Sequence, residues 1–253
     1  ANIFPKVDPE RRMIIFEIDT SDVKHRVLSI EVDGILRPCF LFTEPVQENI
    51  PDREGKGVYL VPASKNDQDI ITQDIFQNFY QKYDILYFAS GIYNMEYLEA
   101  VGSHKVWYFE EGAVIRLRRP GEMAAHDHSK IRNGITVTGE DIRILGRGIL
   151  DGKADTDTLP HPLTCNGNVL CIQDAKDVVV EGLIFTHSMG FCLVALRSSD
   201  ILFDLIRMAG SQDMTSNDGI LIDGSKNAVV RRCFANNHDD SLEVKTHHYT
   251  KTS

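Results

Sequence analysis

Residues 217–223, Asn-Asp-Gly-Ile-Leu-Ile-Asp, and residues 237–245, Asn-His-Asp-Asp-Ser-Leu-Glu-Val-Lys, decide the fold of this chain. Each segment places acidic residues just before an alternation of apolar side chains, which is the pattern of a β-strand. Asp218 and Asp239 are 21 residues apart. That interval matches one turn of a β-solenoid. The two segments are therefore predicted to occupy equivalent places on successive turns.

The same pattern recurs from residue 84 onward. Each copy has a polar turn residue, an alternating strand, a bend and a second short strand, and the copies begin at Asp84, Lys105, Asp141, Asp177, Asp200 and Asn227. Stacked repeats need about three copies to bury a continuous core. We therefore predict an all-β fold with a parallel β-helix over residues 84–253. A leucine-rich repeat is the alternative, but its Leu-Asn pattern is absent.

Two longer intervals between copies contain insertions, residues 118–133 and residues 153–167. Insertions in repeat proteins usually gather on one face, which is often the binding face. We predict that these two insertions wall a groove above the acidic residues.

Residues 1–83 follow a different pattern. Residues 13–18, 27–32 and 39–42 read as short strands, with a turn at Asp33-Gly34, and this arrangement indicates antiparallel pairing. We predict a small β-sandwich-like N-terminal domain over residues 1–83.

A helix is predicted within residues 69–82, where Ile71, Ile75 and Phe79 recur at helical spacing. Such a helix would cover the first open edge of the β-helix, because an uncovered edge invites pairing with other chains. A surface loop is the alternative for this segment.

Composition excludes several classes of function. The chain of 253 residues carries a formal net charge of −10, whereas a nucleic-acid-binding protein needs a basic face. It contains no long uncharged apolar run, so no membrane span is predicted. Its five cysteines are widely spaced and form no Cys-x-x-Cys motif. We therefore predict neither a disulfide framework nor a zinc site, and we predict no metal and no cofactor.

The acidic residues are the candidate catalytic groups. Stacked strands lie roughly 4.8 Å apart, so Asp218, Asp239 and Asp240 are predicted to crowd one patch of one face. Repulsion among three carboxylates raises at least one pKa, which suits a general acid beside a general base. Turn residues and a calcium site remain alternative interpretations of the same cluster.

Three motifs carry a resemblance to a known family: residues 146–152, Gly-Arg-Gly-Ile-Leu-Asp-Gly; Asn217-Asp218-Gly219; and His238-Asp239-Asp240-Ser241 with Lys245. Over roughly residues 84–245 they resemble the right-handed β-helix glycoside hydrolases of family 28, the polygalacturonases. The resemblance implies that Asp239 is the general acid. It also implies that Asp218 and Asp240 are bases that activate water, with inversion at the anomeric carbon. We assign substrate binding to Asn217, His238 and Lys245.

The predicted function is therefore that of an inverting O-glycoside hydrolase acting on a polysaccharide. The substrate that we favour is α-1,4-galacturonan (pectin). The sandwich-plus-helix layout is also similar to family 49, whose members cleave dextran or pullulan, so a neutral α-glucan stays open. A β-helix polysaccharide lyase and a non-catalytic carbohydrate-binding β-helix are further alternatives. From the resemblance we expect a secreted or periplasmic protein.

The end of the chain departs from the family pattern. Ser216 stands where the family has Asn, and Ser241 stands where it usually has Cys. The family's later Gly-His-Gly and Arg-x-Lys motifs do not occur before Ser253. We expect the complete protein to continue beyond this residue. Without further coils, the open C-terminal end of the β-helix predicts self-association.

Overall fold

A computed structural model describes residues 5–19, 26–31, 39–48, 50–118, 132–152, 167–210 and 217–246. The chain divides into two compact units, Ala1–Glu48 and Asn49–Ser253. In the described part of the chain, no helix is long and apolar enough to cross a membrane.

The first unit contains two antiparallel sheets of two strands each. Strand β1 (Lys6–Asp8) pairs with β2 (Met13–Ile15), and β3 (Arg26–Ile30) pairs with β4 (Cys39–Thr43). Each of the strands predicted over 13–18, 27–32 and 39–42 thus overlaps a strand of the structure, although β2 ends at Ile15 and β3 at Ile30. The predicted turn at Asp33-Gly34 lies outside the described residues. The β-sandwich-like arrangement of this unit stays a prediction.

Three parallel sheets form the second unit. Sheet 1 contains β5 (Val58–Leu60), β7 (Ile85–Phe88), β10 (Lys105–Phe109), β13 (Glu140–Gly146), β16 (Lys176–Glu181), β19 (Ser199–Asp204) and β22 (Lys226–Arg231). Sheet 2 contains β6 (Ile70–Ile71), β8 (Gly91–Glu96), β11 (Ala113–Arg118), β14 (Ile149–Asp151), β17 (Ile184–Thr186), β20 (Arg207–Ala209) and β23 (Phe234–Asn236). Sheet 3 contains β9 (Leu98–Val101), β12 (Arg132–Thr138), β15 (Gly167–Gln173), β18 (Phe191–Leu196), β21 (Asp218–Asp223) and β24 (Leu242–Lys245).

Successive strands belong to different sheets, so each complete coil contributes one strand to each sheet. The sheets stack as in a right-handed β-helix, which confirms the predicted fold. The β-helix begins earlier than predicted, because β5 pairs with β7 and β6 pairs with β8. Strands of three and two residues are too short to show alternation, which is why the repeat pattern located the boundary at residue 84.

The inward side chains of sheet 1 form the predicted apolar column. Ile142 lies opposite Val178, which lies opposite Ile201, and all three are buried. The corner that leads into this sheet explains why acidic residues begin the repeats. His104, Asp141, Asp177, Asp200 and Asn227 occupy it with φ angles between 52° and 58°. Asp, Asn and His tolerate this left-handed conformation better than most residues.

The predicted helix is present as α1, Gln73–Tyr80. Thr72 caps its N-terminus, where the side-chain oxygen accepts a hydrogen bond from the Ile75 N–H at 3.5 Å. The buried face consists of Phe76, Phe79 and Tyr80, and the Phe76 ring lies 5.2 Å from the ring of Trp107 in the core. Ile75 is exposed, contrary to the predicted apolar face. The helix is rotated toward its aromatic residues because they bury more surface.

Candidate active site

Asp218, Asp239 and Asp240 meet at the corner between sheets 2 and 3. Asp218 is the first residue of β21, and the other two lie one coil later, between β23 and β24. One carboxylate oxygen of each residue lies within 4.8 Å of the other two. The structure thus brings together the three carboxylates that the sequence places one turn apart.

Backbone hydrogen bonds fix this corner. The Asp239 N–H donates to the Asn217 carbonyl at 3.2 Å, and the Gly219 N–H donates to the Asp240 carbonyl at 2.8 Å. The Asp240 N–H also donates to Oδ1 of Asp218 at 3.2 Å. A Cβ on Gly219 would lie 2.1 Å from the Ser241 carbonyl oxygen, so only glycine allows the two coils to approach here.

Asn217 supports the corner from inside. Its side chain has no exposed surface, and its Nδ2 donates to the Ser188 carbonyl at 3.3 Å. The next residue, Asp218, donates its N–H to the Gly190 carbonyl at 3.0 Å. The predicted contact of Asn217 with substrate does not fit this burial. Its amide instead holds the turn of the preceding coil against Asp218.

The three carboxylates differ in exposure. Asp239 and Asp240 are exposed, whereas Asp218 is half-buried. Burial, followed by the charge of Asp239, raises the pKa of Asp218 to about 6. The family resemblance implies that Asp239 is the general acid. The fold partly removes the Asp218 carboxyl from water, which disfavours its charged form. The assignment of the general acid to Asp239 stays a prediction.

Lys245 lies beside the cluster. Its Nζ forms an ion pair with Oε1 of Glu243 and lies 6.0 Å from the centroid of the Phe191 ring. The hydrogen bond to Glu243 is the main cause that raises the pKa of Lys245, and the charges of Asp218 and Asp240 contribute. A cation this close to the carboxylates is available to an anionic or hydroxyl group of a ligand. His238, directly before Asp239, is exposed at the same corner.

Sequence reasoning missed Glu243 and Phe191. Glu243 is two residues before Lys245 on one strand, so both side chains share a face, and this signal was present in the sequence. Phe191 lies opposite Asp218 in the strand register. That register cannot be read before the coils are aligned.

Three carboxylates are also ligands that a hard cation such as Ca²⁺ accepts, although calcium usually takes six to eight oxygen atoms. The prediction that the site needs no metal stays a prediction. The insertions predicted to wall a groove lie almost entirely outside the described residues, as does Ser216.

Comparison with known proteins gives the same kind of fold. No family profile matches the chain. A polygalacturonase from Juniperus ashei is 28% identical over an alignment of 116 residues that covers 42% of this chain and 23% of that protein. The chain thus matches about a quarter of the length of this curated relative.

Solved structures extend the likeness over most of the chain. Polygalacturonase from Erwinia carotovora has a TM-score of 0.64 at 14% identity, covering 79% of this chain and 60% of that one. A family 28 exopolygalacturonase from Yersinia enterocolitica has a TM-score of 0.59 at 14% identity, covering 82% and 46%. A putative glycosyl hydrolase from Parabacteroides merdae has a TM-score of 0.58 at 18% identity, covering 75% and 93%. The fold of this chain is therefore a polygalacturonase-like β-helix.

Proposed function

We propose that this chain carries the catalytic corner of a glycoside hydrolase that cleaves a pectin-type polysaccharide. The substrate that we favour is α-1,4-galacturonan. The observation that carries the proposal is the corner where Asp218, Asp239 and Asp240 hold carboxylate oxygens within 4.8 Å of one another. The names of the relatives, polygalacturonase and glycosyl hydrolase, support this class of enzyme.

The cluster supplies both groups that glycoside hydrolysis needs. One carboxyl must donate a proton to the leaving oxygen, and another must accept a proton from the attacking water. In a coupled cluster the proton belongs to the group as a whole. We assign its delivery to the glycosidic oxygen to exposed Asp239.

The reaction then proceeds as a displacement at the anomeric carbon. The glycosidic C–O bond breaks as its oxygen takes the proton, while a water oxygen bonds to the anomeric carbon and gives its proton to a neighbouring carboxylate. A water that bonds two carboxylate oxygens at about 2.7 Å each spans roughly 5 Å, which suits the separation within the cluster. Asp218 and Asp240 are the residues we propose to hold this water.

Inversion at the anomeric carbon is part of the proposal and rests on the family resemblance. The carboxyls of inverting enzymes are usually about 6.5–9.5 Å apart, whereas this cluster is tighter. Proton NMR of the first product formed from a galacturonan oligosaccharide decides the point. A product with retained configuration would overturn the assignment of water activation to this cluster.

The test of the function is the release of reducing ends from polygalacturonan by the protein and by its Asp239→Asn variant. Asp200→Asn is the matched control, because Asp200 is exposed on the corner into sheet 1. There its Oδ1 accepts a hydrogen bond from Nδ2 of the exposed Asn227 at 2.9 Å. Asp223, another acid of β21, is unsuitable as a control because it is buried. Release from dextran or pullulan alone would favour the neutral α-glucan alternative. An unsaturated product would indicate a lyase, and binding without turnover would indicate a carbohydrate-binding module.

Two further expectations belong to this proposal. We propose that the protein acts outside the cytoplasm, where polymeric pectin is found, and cell fractionation tests this. We also propose self-association through the C-terminal end of the β-helix. There Leu242 and Val244 continue the inward columns of Ile220 and Ile222, yet they are exposed.

A further inference from the structure

A second polar pair lies on the same corner as the three carboxylates. His187 follows β17 and Asp151 ends β14, and the imidazole Nδ1 lies 2.9 Å from Oδ1 of Asp151. The His187 side chain is 56% exposed, whereas that of Asp151 is only 17% exposed. The carboxylate therefore orients the ring from inside the corner while the rest of the imidazole faces solvent.

The fold holds this pair in place with His187 in a backbone conformation that most residues avoid. His187 has a left-handed φ of 50°. A Cβ on Gly152 would lie 2.6 Å from the His187 carbonyl oxygen, so the Asp151-Gly152 sequence leaves room for the His187 turn. This turn continues into Ser188 and Gly190, whose carbonyls accept the hydrogen bonds of Asn217 and Asp218.

The distance along the β-helix suits a neighbouring sugar. The His187 turn is one coil before Asp218 and two coils before Asp239 and Asp240. At about 4.8 Å per coil, His187 lies roughly 10 Å from the pair of aspartates along the helix axis. A polysaccharide bound across the carboxylates covers this distance within a few sugar units.

The charge of the ring is also suitable. The hydrogen bond to Asp151 is the main cause that raises the pKa of His187, while burial lowers it. Asp151 is the charged group among the described residues that acts on this pKa. Below the raised pKa the ring is an imidazolium, and its outward N–H is a charge-assisted donor to an anionic oxygen.

We propose that His187, oriented by Asp151, forms a subsite that binds the carboxylate of a uronate residue a few sugars from the cleaved bond. This inference rests on the proposed function and names the feature of the substrate that the site distinguishes. His187 is a binding residue and takes no part in bond cleavage.

The experiment compares His187→Asn with a matched variant. His104 forms the same pair with Asp141, with Nδ1 2.9 Å from Oδ2 and a φ of 58°, but it lies on the corner between sheets 3 and 1. Asparagine tolerates both left-handed positions. His187→Asn and His104→Asn therefore make the same chemical change at the two corners.

Hydrolysis is measured on polygalacturonan and on its methyl-esterified form, and binding of tetragalacturonate is measured by calorimetry. Loss of a charge-assisted hydrogen bond weakens binding about tenfold or more. We expect His187→Asn to raise KM for polygalacturonan and Kd for tetragalacturonate by about this factor, with kcat within about twofold. The esterified substrate, which lacks the carboxylate, should show no such rise, and His104→Asn should leave every value unchanged.

An unchanged KM and Kd in His187→Asn would overturn the subsite while leaving the hydrolase proposal intact. An equal rise in KM on both substrates would also overturn it, because it would indicate a structural role. Absence of hydrolysis by the unaltered protein, with tetragalacturonate binding still weakened by His187→Asn, would overturn the hydrolase proposal and support the subsite.

Discussion

The two ends of the β-helix differ in whether its apolar column is covered. At the N-terminal end, Phe76 and Tyr80 of α1 pack on Trp107, and all three are buried. At the C-terminal end of the described residues, Leu242 is 53% exposed and Val244 is 72% exposed. Their partners one coil earlier, Ile220 and Ile222, are buried. Whether an inward residue of a solenoid becomes core thus depends on the element stacked on it.

The largest effect should come from removing an aromatic ring at the covered end. Phe76→Ala removes a fully buried ring, and such changes cost about 3–5 kcal/mol. Leu242→Ala at the exposed end should cost well under about 1 kcal/mol, because little of its surface leaves water on folding. Urea unfolding of both variants gives the two values. Equal losses would show that the C-terminal end is covered in solution.

The exposed end carries the carboxylates, so activity there should be separable from stability. Asp239→Asn keeps the shape of the residue but removes its acid, and general acid–base groups contribute roughly 10²–10⁴-fold. We expect kcat to fall at least about a hundredfold, with KM and the unfolding midpoint nearly unchanged. Asp218→Asn and Asp240→Asn should lose a comparable factor, and Asp200→Asn should retain full activity. A near-normal kcat for Asp239→Asn would remove its assigned role.

A smaller effect should appear in the pH dependence of stability. The pKa of Asp218 is raised to about 6 in the folded protein, against roughly 3.9 in an unfolded chain. The contribution of Asp218 to the free energy of unfolding is therefore fully present below about pH 4, and it is lost as the pH rises through about 6. Since the group is only half-buried, solvent limits the change to about 1 kcal/mol.

Asp218→Asn should remove this slope between pH 4 and 6, whereas Asp200→Asn should keep it. Denaturant titrations at several pH values measure both. An identical slope in the Asp218 variant would place the raised pKa on another group.

The smallest effect should be in association between copies. If the exposed column binds a second copy, Val244→Lys should weaken that association about threefold to tenfold, since few single residues dominate an interface. Sedimentation velocity at several protein concentrations measures this. Val7→Lys, at an exposed apolar residue of the first unit, is the control. A monomer at all concentrations would contradict the proposal.

The repeats could be read from the sequence because alternation has a fixed period and the corner residues recur. The first coil could not be read from the sequence, because β5 and β6 are too short to show an alternation of apolar and polar side chains. Within the site, the convergence of the three aspartates followed from coil length. The burial of Asn217 and the raised pKa of Asp218 did not follow from it, because both depend on which atoms the adjacent coil places against them.

The corner that leads into sheet 1 has a consequence for how such a chain changes in length. Each coil there begins again with a residue in the left-handed conformation at the same corner. The intervals between these residues differ, with 37 residues from His104 to Asp141 and 27 from Asp200 to Asn227. The strand that follows regains its register regardless of how many residues intervened. The chain can therefore gain or lose residues between corners without shifting the stacked strands, so loop length can vary while the frame of strands stays fixed.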